Sequence, residues 1–367
     1  MARRFLGFFA AFALFILAAC DDPEPIRIGF IGGLTGRSAD IGEASRNAVQ
    51  LAVQEVNAAG GVDGTPVELL VRDDANDPAV AGEAVRDLHA EGVAAIIGPN
   101  ISAIAGGMVP VLNELEVVTI SPTVSSLAFA ALDDYFFRIN STTRQNAQAY
   151  AEHYAELGYR RIAAAIDDNN RIFSESWLQE FTDSFETIGG ELVGFEVFDS
   201  TKNDSYAQTA SALIEMNAEA LMLIANSVDT AQLAQQIRKL NADILLIAAE
   251  WAASERLIAL GGATIEGLEL VQSYNRDDGS ERYVAFREAY RSQFQQEPGY
   301  ASLAAYDAAT VLFRALAQSG SADNLKQVLL NLGEVQGLQQ MVAFDRYGDA
   351  QRRAFFVAVR DGKFVLK

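Results

Sequence analysis

Five hydroxyl side chains, Ser102, Ser121, Thr123, Ser125 and Ser126, crowd two short stretches of the chain, 98–102 and 121–126. Hydroxyls and free backbone N–H groups donate hydrogen bonds without carrying a charge, so two such stretches facing each other would suit a carboxylate. Ser102 stands where a helix N-cap belongs, with the unpaired N–H groups of a helix start behind it. Pro122 stiffens the entry to the second stretch. The same serines would also serve as ordinary caps and turn closers, and residue type alone does not separate the two roles.

The elements that must position these hydroxyls are legible around them. The stretch reads as strand (Ala94 to Ile97), loop, helix (Ser102 to Leu115), strand (Val117 to Ile120) and loop. In an open parallel sheet both loops fall at the carboxyl ends of neighbouring strands, where α/β proteins hold small ligands. Before it come a strand at Ile26 to Ile31, a glycine-rich loop, a helix from about Asp40, and a strand at Val67 to Val71. The glycines Gly29, Gly32, Gly33 and Gly36 do not have dinucleotide-binding spacing, and no Gly-Lys-Ser/Thr follows. Asp73 and Asp74 lack the alternate-ligand pattern of a calcium loop, and Asp77-Pro78 reads as N-cap and first residue of the helix to His89.

After a strand at Tyr135 to Ile139 and a helix at Ser141 to Leu157, the beat continues through strands beginning at Arg161, Glu191, Ala220, Ile244 and Leu268. Helices at 282–295, 301–318 and 324–332 and strands at 340–344, 354–359 and 363–366 close the chain. Alternation with short loops predicts an α/β fold of doubly wound parallel sheets. At 367 residues the chain is long enough for two lobes.

Several function classes are disfavoured. A net charge of −21 without a Lys/Arg cluster repels phosphate backbones, so no nucleic-acid partner is expected. The only histidines, His89 and His153, lie in predicted helices among neighbours typical of solvated faces, and no Gly-x-Ser-x-Gly elbow is present. Neither metal-ligand spacing nor a cofactor motif occurs, so no catalytic residue, metal or cofactor is expected.

Arg3 and Arg4 precede the apolar run Phe5 to Ala19, which is shorter than a comfortable membrane span and reads as a signal-peptide core. Leu17-Ala18-Ala19-Cys20 resembles the lipobox of bacterial lipoproteins, with Cys20, the one cysteine of the sequence, as the residue acylated. The expectation is a leader over 1–19, a tether over 20–25, and a periplasmic protein anchored to the membrane by lipid on Cys20. Asp21 resembles an inner-membrane retention signal.

From Ile26 to Leu366 the chain resembles type I periplasmic binding proteins of the leucine/isoleucine/valine-binding class, receptors of amino-acid ABC importers. The resemblance is carried by Gly33-Leu34-Thr35-Gly36, by Val56 to Gly64, by Asp73-Asp74 to Asp77-Pro78, by Ile97-Gly98-Pro99, by Ile120-Ser121-Pro122, and by Phe344-Asp345 to Gly348-Asp349. It implies two lobes joined by three crossings near Asn140, Ser273 and Glu334. Lobe 1 would hold 26–139 plus 274–333, and lobe 2 would hold 140–273 plus 334–367. It implies further that Ser102, Thr123 and Ser125 receive a ligand carboxylate and Glu250 its ammonium, although Glu250 would equally cap the helix that follows. Phe173 matches a family aromatic, whereas Asn226 and Asn100 stand where apolar or aromatic side chains are common, and Ile41 replaces another aromatic. Trp251 and Tyr300 would compensate or sit in the core. The expected ligand is an amino acid or amide-like small molecule, and the expected partner an ABC permease. Two other readings keep their place: a sensor passing a signal to a membrane partner, and an exported serine-dependent hydrolase.

Overall fold

The computed structural model describes residues 24–200, 202, 205–320 and 324–367, so the expected leader, Cys20 and Asp21 lie outside the described residues. The first half of the chain runs β1 (Ile26–Gly32), α1 (Ala39–Ala58), β2 (Val67–Asp73), α2 (Pro78–Ala90), β3 (Ala95–Ile97), α3 (Ser102–Leu115), β4 (Thr119–Ser121) and β5 (Phe136–Arg138). Its five strands form a parallel sheet in the order β2-β1-β3-β4-β5. The chain then crosses to α4 (Thr143–Glu156), β6 (Arg161–Asp167), α5 (Arg171–Thr187), β7 (Glu191–Phe198), α6 (Ser205–Glu215), β8 (Ala220–Ile224), α7 (Ser227–Leu240), β9 (Leu245–Ala248), α8 (Glu255–Gly261) and β10 (Glu269–Gln272). Helices α9 (Glu281–Phe294), α10 (Tyr300–Ser319) and α11 (Leu325–Asn331) follow, and α10 packs along α1 and against β3 and β4. A short hairpin of β11 (Val335–Gln336) and β12 (Met341–Val342) precedes β13 (Phe355–Arg360) and β14 (Lys363–Leu366). The second sheet has the order β14-β13-β10-β9-β8-β6-β7, with β13 and β14 its antiparallel members.

Why the strands were legible follows from this architecture. Helices cover both faces of each sheet, so a central strand such as Ala-Leu-Met-Leu-Ile in β8 is buried throughout and shows as an unbroken apolar run. Helix α10 is apolar nearly all round because it lies between the sheet and neighbouring helices. Asp77 caps α2 as expected, accepting from the Ala79 N–H at 2.8 Å with Pro78 behind it. The acidic turn before it is structural: Asp73 accepts from the Leu34 N–H at 2.8 Å and the Thr35 hydroxyl at 2.9 Å, tying the β2 loop to the β1 loop.

Two glycines set the spacing of the strand ends around the cleft. A Cβ on Gly98 would lie 1.9 Å from the Ile31 carbonyl oxygen, and its φ of +129° is open only to glycine. A Cβ on Gly42 would lie 2.0 Å from the Gly33 carbonyl oxygen, so only glycine lets α1 start so close to the β1 loop.

Three expectations are corrected. The chain after β12 stays with the first sheet: the Arg138 N–H donates to Gly348 O and the Ala350 N–H to Arg138 O, so the last crossing follows Ala350 and does not fall near Glu334. Of the strand expected at 340–344 only Met341–Val342 pairs, because the segment then turns away to dock on β5. His153 is only partly solvated: it is half-buried, its ring stacks on Phe356 with centroids 3.9 Å apart, and burial lowers its pKa.

Candidate ligand-binding cleft

The strand-end loops of the two sheets face each other, and hydrogen bonds join them. From the first sheet, Arg37 follows β1, Asp40 opens α1, Ala103 opens α3, and Ser125 and Ser126 follow β4. Arg37 donates to Asp229 Oδ1 at 2.7 Å, to the Ser200 carbonyl at 2.9 Å and to the Tyr206 hydroxyl at 3.0 Å. Asp40 Oδ2 accepts from the hydroxyls of Ser227 at 2.9 Å and Ser254 at 2.5 Å. The Ala103 N–H, one of the free donors of the α3 start, meets Asn170 Oδ1 at 2.9 Å. The Ser126 hydroxyl donates to the Ile172 carbonyl at 2.7 Å, and the Ser125 carbonyl accepts from the Thr143 N–H at 2.8 Å.

Ser102 is buried, but it is the first residue of α3 and not its cap, a position taken by Ile101 with no side-chain bond. Its hydroxyl oxygen accepts instead from the Ser126 N–H at 3.4 Å, joining the two hydroxyl-bearing loops. Thr123 is committed within its own lobe: its hydroxyl donates to the Asn100 carbonyl at 2.7 Å and accepts from Asn100 Nδ2 at 3.3 Å. Asn100 Nδ2 also donates to Ser45 Oγ at 2.7 Å, while its Oδ1 has no protein partner. Ser102 and Ser125 are therefore brought together by Ser126, and Thr123 pairs with Asn100 behind them.

Glu250 begins a short 3-10 turn after β9. Its Oε1 accepts from Asn146 Nδ2 at 2.7 Å and its Oε2 from Trp177 Nε1 at 2.9 Å. Both donors are neutral, and burial pushes the carboxyl pKa up against the lowering effect of those bonds. Glu250 shares a small cavity of about 20 Å³ with Asn140, Gln272, Tyr300 and Arg352. Asn140 Nδ2 in turn donates to the Thr123 carbonyl at 3.2 Å, which links that cavity to the β4 loop.

A cleft cavity of about 260 Å³ lies between the lobes, walled by Arg37, Ala103 and Ile104 on one side and Asp167, Asn226 and Trp251 on the other. Asn226 caps α7 and is buried; it accepts from the Asp229 N–H at 2.9 Å and donates to Asp229 Oδ2 at 2.6 Å. Phe173 is buried edge-on against Trp251 with centroids 5.5 Å apart. Trp251 thus belongs to the cleft, and the Tyr300 hydroxyl supports it from below, donating to the Trp251 carbonyl at 3.4 Å. A larger cavity of about 430 Å³ opens beyond Tyr300 between α1 and α8; it holds Ile41 but none of the predicted ligand contacts. Among the described residues no group of three or more His, Cys, Asp or Glu side chains could hold a metal ion.

Arg37, Asp167, Asn146, Asn170 and Trp177 were not anticipated. Position at the end of β6 marks Asp167 and Asn170 as cleft candidates in any α/β sheet. Nothing local to Asn146 or Trp177 announces a bond to Glu250, more than seventy positions away.

A family model described as periplasmic binding protein matches residues 25–363. The chain belongs to that family. It is a family of solute-binding proteins, not of enzymes. One curated relative in sequence is a leucine-, isoleucine-, valine-, threonine- and alanine-binding protein of Pseudomonas aeruginosa, 23% identical over 352 residues, or 95% of this chain and 92% of that one. In structure the chain is similar to the branched-chain amino acid transporter substrate-binding protein of Streptococcus pneumoniae in complex with isoleucine, with a TM-score of 0.86, 21% identity, and 94% and 100% of the two chains covered. It is also similar to an ABC transporter solute-binding protein of R. palustris in complex with benzoate, with a TM-score of 0.84, 18% identity, and 94% and 95% covered. The expected class of two α/β lobes with three crossings is the architecture of the family.

Proposed function

We propose that this chain is the solute receptor of an ABC importer, anchored in the periplasm by lipid on Cys20 and closing its lobes on an amino acid or amide-like zwitterion. The observation that carries the reading is Glu250: a half-buried carboxylate, bonded by the neutral donors Asn146 and Trp177 and by its own backbone N–H, has no cation partner among the described residues, and a ligand ammonium would supply one. Ser102 and Ser125, joined through Ser126 on the opposite lobe, would receive the carboxylate. Asn226 lines the cleft cavity itself, Phe173 backs its Trp251 wall, and Asn100 and Thr123 pair with each other behind the serines. The lobes would divide at 139/140, at 273/274 and, given the bonds of Ala350 to β5, just after that residue. The amino-acid ligands in the relatives' names support the class of solute.

Calorimetry on the protein lacking residues 1–20 tests this directly. Binding of at least one amino acid should weaken by about 2 to 4 kcal/mol on Glu250→Ala and on Ser102→Ala, each a hydrogen bond to a charged group in a closed site. Unchanged affinity in the double variant would refute the site.

A further inference from the structure

Strands β9 and β10 pair at Ile247 and Glu269 and go no further. Strand alternation fixes where the next rung would fall. Ala249 turns its N–H to β8, donating to the Leu223 carbonyl at 3.0 Å, so the Ala248 carbonyl is turned to β10. Opposite it stands the Val271 N–H, since Val271 lies two residues beyond Glu269 as Ala249 lies two beyond Ile247. The buried Tyr150 hydroxyl occupies this rung, donating to the Ala248 carbonyl at 2.8 Å and accepting from the Val271 N–H at 2.7 Å. Burial, reinforced by the Glu250 charge, holds its pKa well above the ordinary value, so the hydroxyl keeps the proton it donates.

The interrupted rung lies next to the solute site. Past it, β9 leads through Ala249 to Glu250 and β10 leads into Ser273, and Glu250, Val271, Gln272 and Ser273 line the small cavity of about 20 Å³ between the parted ends. The face of α4 that carries Tyr150 also holds Glu250: Asn146, one turn earlier, donates to its Oε1. The Trp177 ring, whose N–H donates to Oε2, packs edge-on against Tyr150 with centroids 5.1 Å apart. Resting on the receptor reading above, we infer that Tyr150 is a positioning residue for Glu250: its hydroxyl, set between Ala248 and Val271, keeps the end of β9 off β10 so that the carboxylate reaches the solute. Without the hydroxyl, either the rung closes and draws Ala249 and Glu250 toward β10, or two buried backbone groups lose their partner. Each outcome moves the turn that carries the carboxylate.

The chain has two tryptophans, Trp177 and Trp251, so the indole N–H region of its NMR spectrum holds two signals. On the chain lacking residues 1–20, without solute, Trp177→Phe assigns the Trp177 signal and Glu250→Ala gives its displacement when the carboxylate is gone. Tyr150→Phe should produce at least half of that displacement. Calorimetry with L-leucine, L-threonine, L-alanine and L-glutamine should show the tightest of them bound at least tenfold more weakly by Tyr150→Phe. Tyr154→Phe, one turn further along α4, removes a buried hydroxyl that donates to Glu269 Oε2 at 3.2 Å; it should change neither signal nor affinity, which separates loss of position from loss of stability. A Trp177 signal and an affinity left at their wild-type values in Tyr150→Phe overturn this inference and leave the receptor reading intact. Failure of the wild type to bind any amino acid refutes the receptor reading, and the Trp177 signal still decides what positions Glu250. Should Tyr150→Phe not fold, the reciprocal measurement remains, because coupling between two groups acts both ways. Glu250→Ala should speed hydrogen exchange of the Val271 amide at least fivefold relative to the amides of β8, and an unchanged Val271 amide overturns the inference.

Discussion

The Arg37 guanidinium and the Asp229 carboxylate meet 2.7 Å apart across the cleft, one from the loop after β1 and the other from the first turn of α7. Asp229 is fully buried and Arg37 nearly half exposed, with 45% of its side-chain surface open. The Tyr206 hydroxyl donates to the same Asp229 oxygen at 2.6 Å, so the lobe 2 side of the contact is built before closure. Under the proposed closure of the lobes, Arg37 would serve as a latch.

Arg37→Ala should therefore shift the balance toward the open form. Solvent on the Arg37 side discounts the pair to about 1 to 2 kcal/mol, a five- to thirtyfold change in the closed population. Small-angle scattering should report a larger radius of gyration in the ligand-free variant, and solute affinity should fall by a similar factor. An unchanged radius and affinity would show that the other contacts across the cleft suffice.

Stability should fall between about pH 4 and pH 6 because of Asp74. Burial, assisted by the neighbouring charge of Asp73, raises its carboxyl from 3.8 to about 6, against the lowering bond from the Asn76 N–H. The folded chain then holds a proton that the unfolded chain has lost, so this group is least costly below its unfolded pKa. Its cost grows as pH rises and is complete above the folded value, at about 3 kcal/mol for a shift of about two units. Asp74→Asn, which keeps an acceptor for the Asn76 N–H, should raise Tm at pH 7.5 and change it little at pH 4. Scanning calorimetry at the two pH values checks the difference.

Arg352 is a staple at the crossings. It donates to Asp307 Oδ2 at 2.7 Å and to the Ile139 carbonyl at 3.0 Å, binding the last crossing to α10 and to the first crossing. Both side chains are under 10% exposed, at 7% and 5%. Asp307→Ala would strand a buried cation and the Leu338 N–H that Asp307 also accepts, at a cost of about 3 to 5 kcal/mol in denaturant unfolding. Replacing both partners, as Arg352→Met with Asp307→Leu, should recover much of that loss. Equal losses in the single and double variants would refute the coupling.

Trp177→Phe removes the donor to Glu250 Oε2 and keeps a ring stacked on Phe181. The carboxylate, already raised by burial, then loses one of the bonds that favour its charged form, and its pKa should rise further. An ammonium binds the ionised form, so affinity falls as pH drops through that pKa. The variant should match the wild type more closely at pH 8 than at pH 5.5. Calorimetric titrations at the two values would reject the role of Glu250 if the pH profiles coincided.

The sequence by itself determined the class of fold, because backbone geometry and burial act within a few residues. Strands buried on both faces must be apolar runs, as in β6 and β8, and Asp77-Pro78 can start a helix without help from the rest of the chain. It also marked the loops after β3 and β4 as a place for ligands, since that follows from strand direction, whereas Glu250 after β9 was pointed to only by the family resemblance. Tertiary structure alone decided the partners. Arg37 meets Asp229 at a separation of 192 positions, and Glu250 meets Asn146 at 104. The helix start that Ser102 was expected to cap is served by Asn170 from the other lobe, 67 positions from Ala103. The segment through Ala350 docks on β5, where its sequence suggested a strand of the second sheet. These outcomes depend on how two lobes close on each other, and no local period of the chain records which side chains will meet when they do.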